Sequence, residues 1–250
     1  MQRDREETIM CTLEKRGGVY VLTLTGDGEH RLSPILIDSI QAALRQVRSD
    51  PSPGSALVTT AEGRFFSNGF DLNWAQAAGS SFLERLRHMV DKFQQIVADL
   101  FSLPMPTIAA VSGHAAAAGF MLAISHDYVL MRKDRGFLYM SELDIGLPFP
   151  DYFMGLMRSK IGAARARRDV VLRAAKFTAA RAVEDGIIDA AHDSAGETVE
   201  AAMRLGEELA GRQWKGEVYA GIRKASFPEV CEVLGLVETK KTTTATASRL

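Results

Sequence analysis

The sequence predicts an α/β fold: a core of alternating strands and helices, followed by a helical C-terminal third packed on that core or on a neighbouring subunit. Three observations predict it. Short strand-like runs at 11–16, 19–24, 56–60, 107–111, 128–131 and 137–140 alternate with segments of helical periodicity. From Asp151 onward the pattern is almost wholly helical. The 250 residues are 46% hydrophobic, enough for a substantial core in one large domain or two small ones.

The elements follow in order. Gly17-Gly18 joins the first two runs as a two-residue hairpin signal. Ser33-Pro34 reads as an N-cap followed by proline at the first helical position, and Ile37, Ile40, Leu44 and Val47 then share one helical face, ending before Pro51. After the strand at 56–60 comes a glycine-bounded loop, 63–69, and then a long amphipathic helix over 81–101 with Leu83, Leu86, Val90, Phe93, Ile96, Val97 and Leu100 on its apolar face. Residues 107–111 lead through an alanine loop into an apolar helix from about residue 118. Helices are expected at 152–160, 163–175, 179–185, 196–212 and 216–236.

Several classes are excluded. With 30 basic against 31 acidic residues the net charge is −1, so no basic excess exists to displace phosphate counterions, and nucleic acid is not an expected partner. Residues 100–126 contain no charge, but Pro104, Pro106 and Ser112-Gly113-His114 break the stretch into strand, loop and helix, so no membrane span is expected. Cys11 and Cys231 lie far apart without metal-ligand spacing and read as reduced thiols; no metal site is expected. Residues 1–9 are charged and lack an apolar stretch, the pattern of a solvated arm and not of a secretory signal. The stretch 240–247 is polar, and Ser248-Arg249-Leu250 is similar to the Ser-Lys-Leu peroxisomal address, which would make a peroxisomal import receptor a partner.

Three stretches concentrate the chemistry. Residues 63–72 flank a Phe-Phe pair with glycines, suiting a backbone that passes close to a ligand, with Asp71 capping a helix or turn. Residues 112–119 place small side chains at the passage from strand to helix, where unpaired N–H groups collect partial positive charge. Residues 140–148 put Glu142 at the end of a strand, before Gly146 and Pro148.

Together these stretches resemble the crotonase, or enoyl-CoA hydratase/isomerase, superfamily. The resemblance covers roughly residues 10–238 and rests on FFSNGFDL at 65–72, PTIAAVSGHAAAAGFMLAISHDYVLM at 106–131 and MSELDIGLP at 140–148. It implies a crotonase-like core of ββα units wound in a spiral (10–190), a C-terminal helical trimerisation region (191–238), a charged arm (1–9) and a tail (239–250). It also implies an acyl-CoA thioester substrate, no cofactor beyond the CoA carried by that substrate, and a homotrimer or dimer of trimers. By position, the thioester oxygen would be held by the backbone N–H groups of Phe70 and Ala118, the latter where many relatives have glycine. One such donor is typically worth about 2.7–4 kcal/mol of barrier. Phe66, Ser67, Asn68, Gly69, Asp71, Leu72, His114, Met121 and Leu147 would shape the substrate site, with Phe66, Met121 and Leu147 as apolar walls. Arg31, Arg223 and Lys224 are candidates for CoA.

A missing acid separates the activities. Hydratases of this family resemble two-glutamate enzymes; the first glutamate would fall on Met121, whose thioether cannot orient water, while the second falls on Glu142. The single-glutamate pattern is similar to peroxisomal Δ3,Δ2-enoyl-CoA isomerases, plant-type ones in particular. It implies isomerisation of 3-enoyl-CoA to trans-2-enoyl-CoA in the β-oxidation of unsaturated fatty acids. Asp151 is the second choice of base. A hydratase, another crotonase-family acyl-CoA enzyme and a non-catalytic acyl-CoA-binding protein are the alternatives.

Overall fold

The two opening strands form the expected hairpin: β1 (Cys11–Arg16) and β2 (Val19–Leu24) pair antiparallel around Gly17, whose φ of +58° suits the tight turn. The computed structural model describes residues 10–50 and 54–237; the arm at 1–9 and the tail at 239–250, with Ser248-Arg249-Leu250, lie outside the described residues. β2 pairs in parallel with β3 (Ala56–Ala61), and the parallel ladder continues through β5 (Thr107–Val111), β7 (Tyr128–Arg132) and β9 (Ala190–His192). The sheet order is β1-β2-β3-β5-β7-β9. A second, parallel sheet holds β4 (Phe65–Ser67), β6 (His114–Ala116) and β8 (Leu138–Tyr139).

The helices complete a repeating unit. α1 (Pro34–Ser49) is capped by Ser33, as expected. α2 (Leu72–Gln76) and the long α3 (Phe82–Ser102) follow β4, α4 (Ala118–Ile124) follows β6, and α5 (Glu142–Ile145) follows β8. After the opening hairpin and α1, each unit thus sends one strand to the large sheet, the next to the small one, and then a helix across them, giving the ββα arrangement that the resemblance implies. The remaining helices are α6 (Asp151–Lys160), α7 (Ala164–Arg173), α8 (Ala179–Glu184), α9 (Ala195–Gly211), α10 (Gly216–Ser226) and α11 (Pro228–Val233).

Side-chain alternation explains why the large sheet is buried on both faces. Val19, Val21, Val58, Ile108, Ala110 and Leu130 pack against Ala201, Ala202 and Leu209 of α9. Their neighbours Tyr20, Leu22, Leu57, Ala109, Val111 and Met131 join the larger core on the other side, with α1, α3, α4 and α6.

The structure departs from the sequence reading in the small elements. β4 read as part of a glycine-bounded loop, and β6 as part of an alanine loop because alanine carries little strand propensity, yet the layers need small residues beside them. A Cβ on Gly113 would stand 2.1 Å from the Arg64 carbonyl oxygen, and one on Gly119 would stand 2.3 Å from that of Ser67. β9, three half-buried residues, carries no strand signal in the sequence. The helix expected over 216–236 breaks at Phe227 (φ −130°, ψ 59°), because Pro228 cannot donate a helical hydrogen bond and restricts the residue before it. Residues 100–126 span the end of α3, then β5, β6 and α4, and no helix among the described residues is long and apolar enough to cross a membrane.

Candidate active site

The loop after β4 is pinned to the segment before α1. Leu32 N donates to Gly69 O (2.8 Å), Asn68 N to Glu29 O (2.9 Å) and Asp71 N to Leu32 O (3.4 Å). Asp71 caps α2 by accepting from Trp74 N at 3.0 Å. These bonds leave Phe70 N–H without a partner among the described residues, and Gly69, at φ +76°, turns the backbone that presents it. Glycine suits this position: a side chain would be strained by the positive φ and crowded, its Cβ 3.0 Å from Ala117 Cβ and 3.1 Å from Ala116 O. The Phe70 ring is held too, stacked on Phe153 (centroids 6.2 Å apart) and edge-on to Phe93 (5.7 Å).

The second donor comes from the start of α4. Ala117 N donates to Tyr139 O (2.9 Å), while Phe120 and Met121 donate back to Ala117 O. Ala118 N–H, in the first turn, meets no carbonyl among the described residues. Ala117 adopts φ 49° and ψ −124°, a strained conformation for a residue with a side chain. The Gly69 and Ala117 turns touch, so the two free N–H groups come from adjoining backbone.

Glu142 opens α5 and is 7% exposed, and its Oε2 is buried with no hydrogen-bond partner. Burial pushes its carboxyl up from 4.5 to about 7, against the opposing pull of the Glu142 and Ser141 backbone N–H groups. Gly146, left-handed at φ 70°, ends the helix after one turn, with Leu147 N donating to Glu142 O. The sequence placed Glu142 at a strand end; it stands one step further, at a helix start.

Glu142, Phe70 and Ala117 line a cavity of about 510 Å³, together with Arg31, Asn68, Leu72 and Leu147 from the expected set. Residues not singled out for the site complete it: Arg87 and Asp91 on α3, then Phe149, Pro150 and Phe153. Leu83, Leu86 and Val90 also line it, although their spacing on α3 read as a core-facing stripe. The α3 periodicity was the one available signal; nothing local marked Phe149 or Phe153.

Several expected site residues lie elsewhere. Phe66 and Met121 are fully buried in the core and form no wall of this cavity, since their positions on β4 and α4 point them between the layers. Ser67 is also buried and spends its hydroxyl on His30 O at 2.7 Å. His114 is wedged between the Phe65 and Phe137 rings away from the cavity; burial and then Arg64, Lys176 and Arg135 push its pKa down. Arg223 is 5% exposed and does not line the Glu142 cavity; Asp127 and the carbonyls of Leu100, Leu103 and Met105 take its donors. It lines a separate cavity of about 550 Å³ beside α10, and Lys224, next to it, does not line the Glu142 cavity. Arg31 lines the Glu142 cavity while donating to Glu29 at 2.6 Å. Asp151 is exposed at the start of α6 and is no rival to the buried carboxyl. Among the described residues no His, Cys, Asp or Glu cluster could hold a metal ion.

A buried carboxyl that shares a cavity with the turns carrying two unpaired backbone donors, wound on ββα units, is an arrangement that can move protons next to a developing oxyanion. The chain belongs to the enoyl-CoA hydratase/isomerase family, whose profile matches residues 14–223. It is 58% identical over 230 residues to the peroxisomal enoyl-CoA delta isomerase 2 of Arabidopsis thaliana, covering 91% of this chain and 96% of that protein. Enoyl-CoA delta isomerase 3 of the same plant is 55% identical over 228 residues, with the same coverage. Among solved structures, an enoyl-CoA isomerase from Mycobacterium tuberculosis superposes with a TM-score of 0.80 at 23% identity, over 90% of this chain and 94% of that one. An enoyl-CoA hydratase from Bacillus halodurans gives 0.78 at 19% identity, over 90% and 89%. Both show the fold.

Proposed function

We propose that this protein is a Δ3,Δ2-enoyl-CoA isomerase that converts 3-enoyl-CoA to trans-2-enoyl-CoA in the peroxisome, serving β-oxidation of unsaturated fatty acids. The observation that carries it is the Glu142 carboxyl, with an unpartnered, buried Oε2 in the cavity wall and no second buried acid among the lining residues, Asp91 being exposed. The high identity to two plant enoyl-CoA delta isomerases supports the same reading.

The chemistry follows from the geometry. Glu142 takes a proton from C2 of the substrate, and the electron pair left at C2 delocalises onto the thioester oxygen on one side and through the C3=C4 double bond to C4 on the other, as a dienolate. The Phe70 and Ala118 N–H groups stabilise that oxygen. The same carboxyl then returns the proton to C4, leaving the double bond conjugated with the thioester. A carboxyl that titrates near 7 serves as base and acid in turn. Asn68, Leu72 and Leu147 pack around the acyl thioester, and Arg31 at the rim meets the CoA portion.

No cofactor takes part, so activity survives exhaustive dialysis against chelator. The C-terminal helices join protomers into a trimer or dimer of trimers, and Ser248-Arg249-Leu250 is read by a peroxisomal import receptor. The test is purified protein with a 3-enoyl-CoA, followed by the absorbance of the conjugated product. Product should form with the wild type and be lost in Glu142→Gln, which still binds the thioester. Near-normal turnover by that variant, or rapid 3-hydroxyacyl-CoA formation from the trans-2-enoyl-CoA, overturns the proposal.

A further inference from the structure

The Glu142 cavity has rims of two characters. Arg31 and Asn68 make one polar, beside the turn that presents the Phe70 N–H. Leu83 on α3 and Ile145 on α5 also line the cavity, yet they are 67% and 48% exposed, so each carries apolar surface from the interior to the outside. A single exposed leucine needs no explanation. Large apolar side chains on two helices, continuous with the apolar walls of one cavity, form a track.

The reacting carbonyl fixes how a substrate must lie. With its oxygen at the Phe70 and Ala118 N–H groups and the CoA leaving by the polar rim, the acyl chain runs towards α3 and α5. We propose that the cavity is open at this apolar end, and that Leu83 and Ile145 carry the distal part of long acyl chains, making long-chain 3-enoyl-CoA the favoured substrate class. The inference rests on the isomerase reading. An alkyl chain suits the track better than a second protein would. Arg87 and Asp91 also line the cavity from α3, and a protein cover over that rim would have to desolvate both charges, whereas a single flexible chain leaves them in water.

The test compares kcat/KM for 3-hexenoyl-CoA and 3-hexadecenoyl-CoA in the wild type, Leu83→Asp and Ile145→Asp. Both positions are exposed, so the variants should fold, and circular dichroism checks this. The wild type should use the long substrate at least as well as the short one. Each variant should lower the long-to-short ratio by roughly tenfold, mainly through KM for the long substrate. An unchanged ratio in both variants, or a wild type that turns over only the short substrate, overturns the proposal. So does an unchanged ratio accompanied by a new sedimentation coefficient, which would assign the rim to a second copy. A wild type inert towards both substrates would instead overturn the isomerase reading itself.

Discussion

Burying the Glu142 carboxyl raises the energy of its ionised form, and this one cost shapes both its reactivity and its effect on folding. Because the ionised form is the base, kcat/KM should fall below a half-maximal point near pH 7, the value to which burial brings the group. A profile falling only around pH 4.5 would place the base in water. The folding effect has the opposite sense. A carboxyl raised from 4.5 to about 7 contributes stability in full below pH 4.5, and that contribution is lost as pH rises through 7. Glu142→Gln should therefore gain on the wild type as pH rises from 5 to 8, by an amount on the order of 1–3 kcal/mol in denaturant titrations. Ala117 holds a different kind of cost, a methyl group at φ 49° and ψ −124°. Ala117→Gly should relieve strain and raise Tm by a few degrees, roughly 1 kcal/mol. A lower Tm would mean that the methyl contact with Gly69 outweighs the strain. The sequence pointed to Ala118 as the alanine in glycine's place, but the backbone cost falls one residue earlier. Residue types reveal which groups can react; dihedral strain belongs to the folded loop.

At the scale of elements, what could be read in advance depended on whether a segment carries its own periodicity. α1, with Ser33-Pro34 and an apolar stripe, and the β1–β2 hairpin were legible because cap, turn and burial pattern are local. β4 and β6 were not, since Phe65–Ser67 and His114–Ala116 become strands only by pairing with each other across a close approach that Gly113 permits. The same reasoning explains Phe66 and Met121: sequence position put them near the site, and the layer packing turned them into the core. α2 shows how a small element serves the site. It has five residues and one side-chain cap, Asp71, immediately after the Phe70 donor. Asp71→Ala should cost about 1 kcal/mol of stability through the lost cap. It should also lower kcat more than it raises KM, because the loop presenting the Phe70 N–H loses its anchor. A drop in stability with kcat unchanged would show that the bonds from Leu32 and Asn68 hold the donor alone.

Across the whole molecule, the helical third must be fastened to the sheet that carries the site, and Arg223 does this from inside. Its guanidinium, on α10, reaches four carbonyls around the end of α3 and the turn into β5, and it forks onto Asp127 just before β7. Asp127 also accepts from Thr107 N and Tyr219 OH, so one carboxylate ties β5, β7 and α10 together. Burial alone would push the Asp127 carboxyl up, but Arg223, Lys160 and the Thr107 N–H hold it below its ordinary value. That depressed pKa contributes stability at neutral pH which is lost as pH falls. Replacing such an arginine leaves a buried carboxylate and several carbonyls unpaired, a loss of about 3–5 kcal/mol. Arg223→Met, which keeps the stem volume, should therefore sharply lower the denaturant midpoint. Its deficit should shrink towards acid pH, where Asp127 can take up a proton instead. In whatever fraction stays folded, KM for the CoA thioester should be unchanged, since the side chain faces away from the Glu142 cavity. A rise in KM at unchanged stability would return Arg223 to the CoA role that its charge suggested. Arg31→Ala is the matching control: it should raise KM while leaving the midpoint almost where it was, because its partner Glu29 is close to half exposed and such surface pairs contribute little.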